Sequence, residues 1–148
     1  MKEVSTMKIN NNSSSFPNCT FLGGTCASST RRDLIPLLND SVPYFDPQLE
    51  PGEWNDAAAA AEDECKAQCK LFVFVLTPDS LSAYSGFEIG ILAATKSRKL
   101  IFAAVGDFPA DQIKGIQKIA RDVAKLGGSV CSTLEDVANA VNNCYWLT

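Results

Sequence analysis

The run Leu71-Phe-Val-Phe-Val-Leu76 constrains the fold of this chain more than any other stretch. It is apolar at every position and rich in aromatic and β-branched residues, so it reads as a strand that must be covered on both faces. Leu100–Val105 repeats the pattern as a second wholly apolar strand. Strands of this kind, alternating with helical stretches, predict right-handed crossovers and a parallel sheet of about five strands in an α/β fold.

The rest of the chain fits around these two strands. Cys19–Leu22 leads into Gly23-Gly24 as a first strand, and Val42–Phe45 is a short strand ending at Asp46-Pro47. A helix is expected from Thr30 to Leu38, with Thr30 and Asp33 spaced as a capping box and Leu34, Leu37 and Leu38 on one face. Pro47, Pro51 and Gly52 mark a loop before an alanine-rich helix that Asn55 or Asp56 can cap and that runs to about Cys69. After a polar loop from Thr77 to Ser85 come a helix from about Gly86 to Ser97 and, beyond the second apolar strand, a helix from about Ala110 to Leu126. Gly127-Gly128, a short strand around Val130 and a helix from Leu134 to Asn143, capped by Thr133 with Asp136, close the pattern. Residues 1–18 are rich in Asn, Ser and Lys and read as a flexible leader; residues 19–148 read as one domain.

Composition excludes several functions. A net charge of -4 gives no general basic field for nucleic acid or an anionic membrane, although Arg31-Arg32 is a local cluster able to hold one phosphate. The chain has no histidine, which removes histidine-based triads and acid–base pairs. Its 6 cysteines include no C-x-x-C pair, so neither a zinc site nor another metal is expected. Cys65 and Cys69 read as small core residues of a helix. No apolar run is long enough to span a bilayer, and no signal-peptide pattern opens the sequence. A cytoplasmic protein is expected.

Ligands of parallel sheets bind at the carboxyl ends of the strands, where the strand order reverses. Three segments there attract attention. Gly23-Gly24-Thr25 lets backbone approach a ligand, with hydroxyl groups beside a helix start; a strand-to-helix turn that needs glycine accounts for it equally well. It is not the G-x-G-x-x-G of dinucleotide folds, and no cofactor is expected. Glu62 shares a helical stripe with Ala58, Ala61, Cys65 and Cys69, so it faces a cleft or reaches water at the stripe edge beside Lys66. Ser85-Gly86-Phe87-Glu88 spells a capping box, a complete structural explanation of Ser85 and Glu88. The same geometry keeps Glu88 ionised at a helix start, suited to attack on an anomeric carbon.

Taken together, Phe21-Leu-Gly-Gly-Thr-Cys, Ser29-Thr-Arg-Arg-Asp-Leu-Ile-Pro-Leu-Leu, Tyr44-Phe-Asp-Pro, Leu71–Thr77 and Tyr84-Ser-Gly-Phe-Glu-Ile-Gly resemble the nucleoside 2-deoxyribosyltransferase-like family over most of Cys19 to Val105. The resemblance implies a flavodoxin-like three-layer fold holding a nucleoside, with Glu88 forming a glycosyl-enzyme ester. It places Glu62 where members carry an aspartate that assists the leaving base or the sugar. It assigns Gly24 and Thr25 to the sugar- or phosphate-binding turn, and Ser85 and Gly86 to the loop before the nucleophile.

On this reading the chain cleaves or transfers the N-glycosidic bond of a nucleoside or nucleotide, with Asp46 reading the base edge, Trp54 or Tyr44 stacking on it and Arg32 holding a 5′-phosphate. An Asp-Pro turn, ordinary packing and a solvated arginine are the plain alternatives. A rival reading is a binding module without turnover that holds a nucleotide or an NAD-derived ligand in the same cleft. The apolar helix Ile89–Ala94 and the tail from Cys144 to Leu147 fit burial against a second subunit, so a homo-oligomer is expected.

Overall fold

The computed structural model describes residues 8–9, 20–24, 30–46, 56–78 and 99–144. These residues form a six-stranded sheet. Its strands are β1 (Lys8–Ile9), β2 (Thr20–Gly24), β3 (Tyr44–Asp46), β4 (Leu71–Leu76), β5 (Lys99–Ala104) and β6 (Ser129–Cys131). The order across the sheet is β1-β3-β2-β4-β5-β6. Five strands, β2 to β6, run parallel, with Thr20 opposite Tyr44 and Leu71, Phe72 opposite Leu100 and Ile101 opposite Ser129. β1 adds an antiparallel edge, Lys8 opposite Asp46. It comes from the stretch read as a flexible leader, where two residues in a polar context carry no periodic signal.

Four helices are found among the described residues: α1 (Thr30–Leu34), α2 (Asp56–Gln68), α3 (Ala110–Lys125) and α4 (Leu134–Asn142). The sequence predicts α1 to reach Leu38, but it ends at Leu34 and continues as a single 3₁₀ turn, Ile35–Leu37. Pro36 is the reason: an interior proline has no N–H to donate, and its ring clashes with the carbonyl four residues back. α2 forms without any β-branched residue, and its five consecutive alanines favour helix strongly. α3 puts Ile116, Ile119, Ala120 and Val123 toward the sheet at helical spacing. It ends in a Schellman motif: Gly127, at φ +86°, donates to the Ala124 carbonyl at 3.1 Å, and Gly128 donates to that of Val123 at 2.9 Å. α4 is capped as expected, the Thr133 hydroxyl accepting from the Asp136 N–H at 3.1 Å.

The strict alternation of β4 and β5 divides the core in two. Phe72, Phe74, Leu76, Leu100 and Phe102 face α2 and α3, together with Phe21 and Phe45. Leu71, Val73, Val75, Ile101 and Ala103 face α1 and α4, together with Leu22, Leu34, Val137 and Val141. All six side chains of β4 are buried, which explains why the run tolerates no polar residue; each such burial contributes roughly 1.5–3 kcal/mol. The result is a three-layer α/β sandwich. Among the described residues no helix is long and apolar enough to cross a membrane.

Connection direction accounts for the layering. From β2 the chain steps outward to β3 through α1, then reverses over β2 to β4 through α2. With right-handed crossovers, opposite steps put their helices on opposite faces. The reversal makes a topological switch point between β2 and β4, the place where doubly wound sheets hold ligands.

Candidate functional site

The carboxyl edge of the sheet presents Gly24 of β2, Asp46 of β3, Thr77 just beyond β4 and the Val105-Gly106-Asp107 turn beyond β5. At the switch point the backbone is crowded. Gly24 lies opposite Val75 at φ +132°, and a Cβ there would fall 2.1 Å from the Val75 carbonyl oxygen. Gly23 turns toward the phenylalanine face, where a Cβ would meet the Phe74 ring at 2.6 Å. Both glycines are therefore required by the sheet itself, and the same bareness leaves backbone at the mouth of the switch point.

The two arginines part in a way that the sequence does not reveal, and one of them meets Asp46. Asp46 is 2% exposed and lies on the α1 face, the face of Tyr44. Arg31, 4% exposed, brings its Nε to 3.9 Å from Asp46 Oδ1 and donates from Nη1 to the Leu22 carbonyl at 3.2 Å. The guanidinium thus ties α1 to the middle of β2 and the end of β3. Arg32, the residue assigned to a 5′-phosphate, is exposed. Tyr44 has its hydroxyl pKa raised above the ordinary value, first by burial and then by the charge of Asp46.

Glu62 lies on the opposite face. It is half-buried on α2, and its Oε1 is 3.0 Å from Lys66 Nζ, the pairing its position on the stripe allows. Lys66 in turn sits 5.6 Å from the centre of the Phe21 ring, a cation–π contact. Phe21 belongs to an aromatic cluster with Phe45, Phe72 and Phe74, at centroid distances of 6.0, 5.7 and 6.1 Å. Cys65 and Cys69 are fully buried beside it, their sulfurs 3.1 Å apart and both free thiols, as expected of core residues. Among the described residues no group of three or more metal-ligating side chains comes together.

The structure therefore brings Gly23 and Glu62 to the α2 face, and Asp46 and Arg31 to the α1 face. Thr25, Trp54, Ser85, Gly86 and Glu88, with the helix expected from Gly86 to Ser97, lie outside the described residues.

Sequence reasoning missed two features. One is Arg31, since nothing in an Arg-Arg pair says which member turns inward. The other is a shallow cavity lined by Ala104, Gly106, Asp107, Phe108, Ile116 and Gln117. The signal for the second was present: Gly106-Asp107-Phe108 follows a wholly apolar strand, where the ends of parallel strands carry function.

Comparison of the chain with protein-family models and with curated proteins returns no match.

Proposed function

We propose that this chain acts on the N-glycosidic bond of a nucleoside or nucleotide, as a deoxyribosyltransferase-like or hydrolase-like enzyme in the cytoplasm. The observation that carries the reading is the switch point between β2 and β4, with the bare Gly23-Gly24 backbone at its mouth. This is where a flavodoxin-like sheet accepts a small ligand, and the residues there are those by which the chain resembles the nucleoside 2-deoxyribosyltransferase-like family.

The proposed chemistry is double displacement. The Glu88 carboxylate attacks C1′ opposite the base, the C1′–N bond breaks, and its electron pair leaves with the base, which takes a proton from Glu62 or a bound water. The sugar ester is then released to water or to the ring nitrogen of a second base, which loses its proton. Glu62 fits a place beside the departing base by lying on the Gly23 face, where its ion pair with Lys66 at 3.0 Å fixes its position. The Arg31–Asp46 contact supports a structural part for Asp46 at the opposite face.

The test is incubation with nucleosides, their 5′-monophosphates and NAD, with free base followed by chromatography. Release by the wild type, lost in Glu88→Ala, is the expected result. Tight binding without release, retained in Glu88→Ala, would overturn the enzymatic reading and leave a nucleotide-binding module.

A further inference from the structure

We infer that the cavity beyond β5 is the nucleobase subsite, and that Asp107 selects a base presenting two adjacent N–H donors, the edge of guanine. The inference rests on the nucleoside reading above and adds where the base sits and what edge it shows.

Position is the first argument. The cavity opens at the carboxyl end of β5, on the face of α3, where Phe108 and Ile116 pack against the phenylalanine layer. That is the face of Gly23 and Glu62, and the one opposite Asp46 and Arg31. β5 neighbours β4, and β4 neighbours β2. Adjacent strands are about 4.8 Å apart, so the cavity stands one to two strand spacings from the switch point. The base of a nucleoside whose sugar sits at Gly24 would reach that far. The turns after β4 and β5 also touch, since a Cβ on Gly106 would meet Pro78 Cδ at 2.8 Å, so the path between them runs along one continuous wall.

Size is the second argument. The cavity measures about 340 Å³, at the lower end of the roughly 300–1,000 Å³ of ligand pockets. It suits a base with part of its sugar, not a dinucleotide.

Chemistry is the third. Phe108 and Ile116 offer apolar walls for a planar ring, and Asp107 and Gln117 supply the polar edge. An ionised carboxylate only accepts hydrogen bonds, with two oxygens side by side. It pairs best with the N1–H and N2–H₂ of guanine; adenine offers a donor beside an acceptor, and inosine lacks the second donor. The amide of Gln117 both donates and accepts, and can take the remaining polar atom of the base. Asp107 is exposed on a turn, so replacing it leaves the core intact.

The experiment titrates guanosine, inosine and adenosine into the full chain by calorimetry, with base release measured alongside for wild type, Asp107→Asn and Gln117→Leu. Guanosine is expected to bind at least tenfold more tightly than inosine or adenosine. Asp107→Asn should erase that preference and improve adenosine, because a carboxamide pairs with an adenine edge. Gln117→Leu should weaken all three. Glu88-dependent base release with a base preference untouched by Asp107→Asn would overturn this subsite while sparing the proposed activity. Failure of every nucleoside to bind or react would overturn both.

Discussion

Arg31→Met is the sharpest test of how the carboxyl edge is built. It removes a guanidinium whose side chain is 5% exposed from beside a carboxylate whose side chain is 3% exposed. Breaking a buried pair from one side leaves an uncompensated charge, which costs about 3–5 kcal/mol. That is a large part of the 5–15 kcal/mol that typically holds a domain together. Unfolding entropy near the midpoint is about 2.1 cal/mol/K per residue. Scaled to 148 residues, the same loss lowers the melting temperature by roughly 10–16 °C. Asp46→Val should be comparably damaging, since it leaves the cation buried. The double variant removes both charges, so it should be less damaged than either single change and give a positive coupling in the double-mutant cycle. It still lacks the donor that Arg31 offers to the Leu22 carbonyl at 3.2 Å, so about 1–3 kcal/mol of loss should remain. The assay is urea unfolding followed by circular dichroism for the four proteins. Single changes that each cost under about 1 kcal/mol, and that simply add, would refute the view that the pair is desolvated.

Two glycines should respond in opposite directions. Gly24→Ala puts a Cβ against the Val75 carbonyl at a positive φ, and should cost more than about 2 kcal/mol in urea unfolding. Gly115→Ala lies mid-helix with nothing within 4 Å of the new Cβ, and should raise stability by about 0.5–1 kcal/mol in the same assay. Tyr44 binds its proton more tightly folded than unfolded, so its contribution is complete below the ordinary value of 10.0 and is lost as pH rises through the folded value. A melting curve series above pH 9 should therefore fall more steeply for wild type than for Tyr44→Phe. The thiol pKa of Cys131 is raised by burial and then by the charge of Asp136. Iodoacetamide labelling at pH 8, followed at the Cys131 peptide by mass spectrometry, should be faster in Asp136→Asn than in wild type.

What could be read from the sequence was whatever burial or capping imposes on consecutive residues. Leu71–Leu76 was legible in full because a strand covered on both faces admits only apolar residues. The Thr133 cap and the Gly127-Gly128 stop were legible because each satisfies helix-end groups with residue types suited to the task. The break of α1 at Leu34 followed from Pro36 but was masked by the leucines around it. Arg31 could not be read, because its inward turn depends on an aspartate in a different strand. The same holds for the side of the sheet on which a candidate falls: Glu62 and Asp46 both looked like cleft carboxylates, but the reversal of strand order puts α2 opposite α1, and the pleat of β3 turns Asp46 with Tyr44 to the α1 face.

That reversal also sets the order in which the molecule can assemble. Thr20 of β2 pairs with Leu71 of β4, about 50 positions further along the chain. At about 5–20 residues per second on the ribosome, β2 waits several seconds for its central partner to be made. Its first available neighbour is the three-residue β3, held by two registered pairs. Long loop closures of this kind slow folding relative to helical bundles of equal size. The nascent chain must therefore keep Phe21 and Leu22 from other partners until Leu71–Leu76 emerges, so the five-pair seam at the switch point is the last part of the sheet's first half to become possible.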